Sequence, residues 1–213
     1  MLGCGASIAK HVDRGDTVWT LILGQGIASR KQLTKQEKEE AVAGLQADAK
    51  RANNILGIKK LLLKNLPDNR FDSIPLLTLV HTIEDIIERL RPHIIYTHHE
   101  ADVNIDHRLT YQAVQAATRP LYESVIEQIF SFEIASSTEW NFTQKRFAPN
   151  VFNEINDDTL KRKINALKAY KSEIQPFPHP RSPEYLEALA TVRGGQSGFM
   201  LAEAFELVYW RRQ

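Results

Sequence analysis

Apolar residues recur at helical spacing in some stretches of the chain and run without interruption in others. From about Leu2 to Arg14, Ile8, Val12, Ala6 and Ala9 fall on one side, which predicts a helix broken by Gly15-Asp16. Thr17 to Leu23 is β-branched and apolar throughout. It predicts a strand buried on both faces, as in a parallel sheet, ending in the loop Gly24-Gln25-Gly26. Lys31 to Leu56 is charged, with Val42, Leu45, Ala49, Ala52 and Leu56 at helical spacing, and predicts an amphipathic helix. Ile58 to Leu63 is a weaker strand. Pro75 to Leu90 is helical through Leu77, Val80, Ile83, Ile86, Ile87 and Leu90, and Pro92 ends it.

His93 to Thr97 forms a short strand, followed by a polar loop from His98 to Asn104 and a helix from about Ile105 to Ala117. Val125 to Ile134 and Val151 to Ile155 are further strands, and Asp157-Asp158-Thr159 caps a helix that runs to about Tyr170. Pro176 to Pro183 is a loop. Pro183 to Val192 is a helix, and Leu201 to Tyr209 is helical or a mixed strand. This order predicts one α/β domain over residues 1–213 with a Rossmann-like, mostly parallel sheet flanked by helices. In such sheets ligands bind beyond the carboxyl ends of strands. The loops Gly24 to Arg30 and His98 to His107 meet that condition.

Composition narrows the picture little. The formal net charge of +1 supplies no attraction to nucleic acid or to an anionic membrane, so neither is expected as a partner. Lys161-Arg162-Lys163 reads as a solvated helix face, and Trp19, Trp140 and Trp210 as packing residues. The single cysteine, Cys4, cannot form an internal disulfide. Between two glycines it reads as a close helix contact rather than a nucleophile. The longest apolar runs are too short to span a bilayer and the start is not a secretory signal, so a cytoplasmic location is expected.

The chemistry concentrates in Thr97-His98-His99-Glu100-Ala101-Asp102-Val103-Asn104-Ile105-Asp106-His107. Here His98, His99 and His107 stand among Glu100, Asp102 and Asp106 just past a strand. Imidazole and carboxylate are the ligands that catalytic zinc favours, and a carboxylate beside a ligating histidine orients the ring or moves a proton. Asp106 equally suits an N-cap, and the spacing alone delivers no set of three ligands. Gly24-Gln25-Gly26 could cradle a phosphate but is more often a turn. Ser29-Arg30 could meet an anionic group, and His179 belongs to a structured proline loop.

Four stretches resemble the PIG-L/LmbE deacetylase family: Leu2 to Ala9, Gly15 to Gly26, Asp102-Val103-Asn104-Ile105-Asp106-His107-Arg108, and Arg193-Gly194-Gly195-Gln196-Ser197-Gly198 through Phe205. The resemblance implies a zinc-dependent hydrolase that removes acetyl from an N-acetylglucosamine-type sugar or glycoconjugate. His107 matches the third zinc ligand and Asp106 the carboxylate beside it. Asn104 stands where some members carry a histidine that stabilises the oxyanion, and His98 is a candidate substitute. Arg30 and Asn104 match substrate-contacting positions.

The family's first motif, His-Pro-Asp-Asp-Glu, precedes the Leu-Gly-Cys-Gly found here as Leu2 to Gly5, and the chain carries none of it. The resemblance therefore implies that the first strand, two zinc ligands and the general base are missing. It implies that Met1 is internal to a longer protein, that the chain as it stands is inactive, and that an exposed sheet edge favours a homo-oligomer. The alternative is a non-catalytic sugar- or nucleotide-binding relative. A nucleotide-dependent enzyme built on the Gly24 loop ranks last, because a full glycine fingerprint is absent.

Overall fold

The computed structural model describes residues 1–24, 26, 34–121, 124–142 and 145–212. In chain order the elements are α1 (Gly5–Asp13), β1 (Trp19–Gly24), α2 (Lys35–Leu56), β2 (Lys60–Leu66), α3 (Leu76–Leu90), β3 (Ile94–His98), α4 (Ile105–Ala117), β4 (Gln128–Phe132), β5 (Val151–Glu154), α5 (Asp157–Lys168), α6 (Pro183–Ser197) and β6 (Ala202–Trp210). Short 3-10 turns lie at Phe71–Ser73 and Thr138–Trp140. The residues cluster into two compact units, Met1–Asn69 with Phe152–Glu203, and Arg70–Val151 with Ala204–Gln213.

In the first unit, β1 and β2 pair in parallel from Trp19↔Lys60 to Ile22↔Leu63, joined through α2. Thr34 starts α2 with a capping box: its hydroxyl accepts from the Glu37 N–H, and the Glu37 carboxylate accepts from the Thr34 N–H at 2.7 Å. Gly57 ends α2 in the left-handed region, φ 74°, and a Cβ there would lie 2.8 Å from Val12 Cγ1. The core brings together Ala9, Ala52, Leu56, Ile58 and Ala166. Alanines at these positions let α1, α2 and α5 approach closely. Asn156, rather than the aspartates after it, caps α5: its Oδ1 accepts from the Thr159 N–H at 2.9 Å.

The basic run at Lys161–Lys163 is only partly a solvated face: Lys161 is exposed, but its neighbours are engaged. Lys163 is buried, with its Nζ 2.6 Å from Glu203 Oε1, and Arg162 pairs with Asp13 and Asp158. Glu203 also accepts the Ala6 N–H (3.1 Å) and the Ser7 N–H (2.6 Å) at the start of α1. The Lys163 stem crosses Gly5, where a Cβ would come within 3.0 Å of Lys163 Cγ. Cys4 is buried beside this network, and burial pushes its thiol up to about 11.

In the second unit, β3 and β4 run parallel from Ile94↔Gln128 to His98↔Phe132. Next to β4 lies β6, antiparallel, with Ser131↔Glu206 and Phe132↔Phe205 opposed. Within this unit the strand order is β3-β4-β6. The segment Leu201 to Tyr209 is thus a strand, and it brings an antiparallel member into an otherwise parallel arrangement. Tyr96, Phe130 and Phe205 pack around one another, with Tyr96 5.4 Å from Phe130 and 5.1 Å from Phe205 between ring centroids. Trp140 and Trp210 are exposed, and the Arg212 guanidinium lies over the Trp210 ring at 5.2 Å. Arg91, in the left-handed region at φ 47°, closes α3 by donating its N–H to Ile87 O at 2.7 Å.

Candidate active site

The site grows from the carboxyl end of β3. Thr97 and His98 are the last strand residues, the chain turns through residues 99–104, and α4 begins at Ile105. Asn104 caps α4: its side-chain oxygen accepts from the Asp106 N–H at 2.8 Å. The cap is therefore Asn104, and Asp106 lies inside the first turn. The Asp106 carboxylate is buried and accepts the Phe71 N–H at 3.0 Å. Arg108 donates to the carbonyls of Asp102 and Val103 at 2.8 and 3.0 Å, which holds the turn closed.

Asp102, fully buried, is the hub. Its Oδ1 accepts the Asn104 N–H at 2.9 Å and the Ser137 hydroxyl, and its Oδ2 accepts the Thr138 hydroxyl at 2.6 Å. His107 Nδ1 lies 3.0 Å from Asp102 Oδ1. Burial alone would raise this carboxyl. The His107 imidazole and the two hydroxyls outweigh it and hold the group at about 2, so Asp102 is ionised at neutral pH. The Ser137–Thr138 segment is itself braced, since the Glu139 carboxylate accepts the N–H groups of Ser136 (2.5 Å) and Ser137 (3.1 Å).

The His98 ring stacks on His107, with centroids 4.2 Å apart and planes at 14°, and meets the edge of Phe132 at 5.1 Å. Its imidazole is held well below the ordinary histidine range, first by burial and then by the neighbouring His107, so it is neutral at pH 7. Buried polar atoms without a hydrogen-bond partner among the described residues concentrate here: Thr97 Oγ1, His98 Nδ1, His99 Nε2 and His107 Nδ1, the last facing Asp102 Oδ1 at ion-pair distance without hydrogen-bond alignment. Native proteins leave few such atoms, and functional sites are where they collect.

The structure thus brings His98, Asp102 and His107 together, with Asn104 and Asp106 at the start of the adjoining helix. Arg30 and the rest of the Ser29-Arg30 segment lie outside the described residues. Sequence reasoning missed the Ser137 and Thr138 hydroxyls, which no motif marks, and the pair His99–Glu206. That buried His99 donates from Nδ1 to Glu206 Oε2 at 2.8 Å. Glu206 also accepts the Ser131 hydroxyl (3.2 Å) and the Ala148 N–H (2.7 Å). Burial works against the charge on Glu206, but these donors prevail and its carboxyl lies below the usual glutamate value.

The donor set can be tested against zinc. His107 has the arrangement of a metal-binding histidine, with one ring nitrogen facing a carboxylate and the other left for the ion. A catalytic zinc takes three protein ligands. Among the described residues, no group of three or more His, Cys, Asp or Glu is placed to hold a metal ion. They fit zinc as one oriented ligand, not as a complete site.

Past the end of β3, an α/β fold thus holds the half-buried His107 against the buried carboxylate of Asp102. The chain belongs to the PIG-L family, described as GlcNAc-PI de-N-acetylase, whose model matches residues 1–118. The uncharacterized deacetylase YaiS of Escherichia coli K12 is 29% identical over 176 residues, 80% of this chain and 84% of YaiS. The N,N'-diacetylchitobiose deacetylase of Pyrococcus horikoshii shares the fold with a TM-score of 0.74 at 19% identity, over 97% of this chain and 78% of its own. The zinc-inhibited form of the teicoplanin deacetylase Orf2 gives 0.76 at 13% identity, over 100% and 94%. The 4-carboxy-2-hydroxymuconate hydratase GalB of Pseudomonas putida KT2440 gives 0.75 at 18%, over 100% and 92%. The fold therefore carries more than one chemistry, and the family match is what makes this chain a member of a deacetylase family.

Proposed function

We propose that this chain carries the site of a zinc-dependent N-deacetylase acting on an N-acetylglucosamine-type sugar or glycoconjugate, with His107 as one zinc ligand. The observation that carries the reading is the Asp102–His107 pair, in which one ring nitrogen faces the carboxylate at 3.0 Å. The deacetylase names of YaiS and of the Pyrococcus enzyme support the reaction class, and the latter's name supports a sugar substrate. In this reading Asp106 is the carboxylate beside the ligand. His98, neutral and stacked on His107, takes the oxyanion role. Asn104 has its side-chain oxygen committed to the helix cap, which leaves its amide NH2 for substrate, and Arg30 is the other substrate-contacting residue of this reading. Residues 1–213 act as one deacetylase-like domain in the cytoplasm. No helix among the described residues is long and apolar enough to cross a membrane.

The test uses protein purified from its natural source. It is expected to contain zinc and to release acetate from an N-acetylglucosamine conjugate. His107→Ala is expected to lower that rate by more than the roughly 10–100-fold that loss of an outer-shell partner costs. Undiminished acetate release by His107→Ala overturns the assignment. One observation favours a second reading, a non-catalytic sugar- or nucleotide-binding relative: the described residues assemble no three-donor group. Calorimetric binding of the sugar by the native protein, without acetate release at any zinc concentration, would establish that reading instead.

A further inference from the structure

We infer that His99, held by Glu206, is a positioning residue for the site at the end of β3. The inference rests on the deacetylase reading for its catalytic consequence but not for its geometry. His99 directly follows His98, the residue stacked on His107, and its carbonyl accepts the Asp102 N–H at 3.3 Å. A rotation of the chain at His99 therefore moves His98 and the turn that carries Asp102 at once.

Two contacts prevent that rotation. The Nδ1–H donates to Glu206 Oε2, and the ring stands edge-on to Phe147 at 5.5 Å and 87°. The strand register sets the first contact. Thr97 lies opposite Ser131 and Ser131 opposite Glu206, so one row crosses β3, β4 and β6 and ends on the carboxylate. Glu206 is anchored in turn by the Ser131 hydroxyl and the Ala148 N–H, which also fixes the segment bearing Phe147. An ionised carboxylate only accepts, so Nδ1 must be the donor. Nε2 has no hydrogen-bond partner among the described residues, which leaves the polar anchoring of the ring to Glu206.

The amide of an asparagine reaches the place of Nδ1, whereas that of a glutamine reaches the place of Nε2. His99→Asn should therefore keep the bond to Glu206, and His99→Gln should lose it. Far-UV circular dichroism and urea unfolding confirm that each variant of the full chain folds. NMR then follows the imidazole Hε1 resonances of His98 and His107, which carry the ring-current shift of their stack. His99→Gln is expected to fold yet lose that shift, and His99→Asn to keep it. In the native-source enzyme, kcat for acetate release should fall about 10-fold or more in His99→Gln with KM within about twofold, and recover in His99→Asn. Equal behaviour of the two variants, an unchanged stack in His99→Gln, or unfolding of both overturns the inference. If the wild-type protein releases no acetate, the deacetylase reading fails, and the NMR comparison still decides the role of His99.

Discussion

Glu203→Gln tests the buried network that anchors the start of α1. The carboxylate takes Lys163 Nζ at 2.6 Å and the Ala6 N–H at 3.1 Å on one oxygen, and the Ser7 N–H at 2.6 Å on the other. Both side chains are nearly inaccessible, at 6% and 4% exposure. A glutamine has one oxygen. Turning it toward Lys163 sets its NH2 against the Ser7 N–H, and the ammonium loses its counter-charge. Breaking a buried pair from one side costs about 3–5 kcal/mol. For a chain of this size that corresponds to a fall in Tm of roughly 6–20 °C. Lys163→Met is expected to cost less, about 1.5–3 kcal/mol. Its stem still crosses Gly5, and the carboxylate keeps two N–H donors at the positive end of α1. Urea unfolding at pH 7 measures all three variants. The double variant should fall short of the summed losses by about 1 kcal/mol or more, because the two groups are coupled. A Glu203→Gln loss under about 1 kcal/mol, or strict additivity, would refute the reasoning.

The two adjacent glycines of α6 should behave oppositely. A Cβ on Gly194 would lie 2.6 Å from the Met200 carbonyl oxygen, whereas one on Gly195 meets nothing within 4 Å. Gly194→Ala is expected to cost about 1–3 kcal/mol by overpacking, and Gly195→Ala to stabilise by roughly 0.5–1 kcal/mol, both read by thermal unfolding. Cys4 supplies a pH dependence. Its folded pKa is raised to about 11 from 9, chiefly by burial. Between these values the unfolded chain has released a proton that the folded chain keeps, so stability falls as pH rises, by a total on the order of 3 kcal/mol at most. Urea midpoints from pH 8 to 11 should flatten in Cys4→Ala. A native thiol that reacts with a disulfide reagent at pH 8 as fast as the unfolded one would contradict this.

The long helices were legible because their signal is local. The apolar spacing of Lys31 to Leu56 and Pro75 to Leu90 marks a face whatever it packs against. Leu201 to Tyr209 was ambiguous for the same reason. A short apolar run suits a strand or a buried helix, and pairing with β4 is what makes it β6. Lys163 reads as solvated beside Lys161 and Arg162, because composition cannot show that the residue forty positions on supplies its counter-charge.

What the sequence determined by itself is the short-range part of this protein. That part includes the strand, turn and helix from Ile94 to Ala117, and the placing of Asp102 within reach of His107 along one turn. Backbone geometry fixes such contacts once the elements form. The tertiary structure decided the rest. The hydroxyls of Ser137 and Thr138 reach Asp102 from 35 and 36 residues away, and Glu206 reaches His99 from 107. The contact of Glu206 with His99 closes only through the register of β3, β4 and β6, and a one-residue slip would turn Glu206 to the other face of the sheet. The pattern of side chains tells which face a residue occupies, and the pairing of strands decides which residue it meets there.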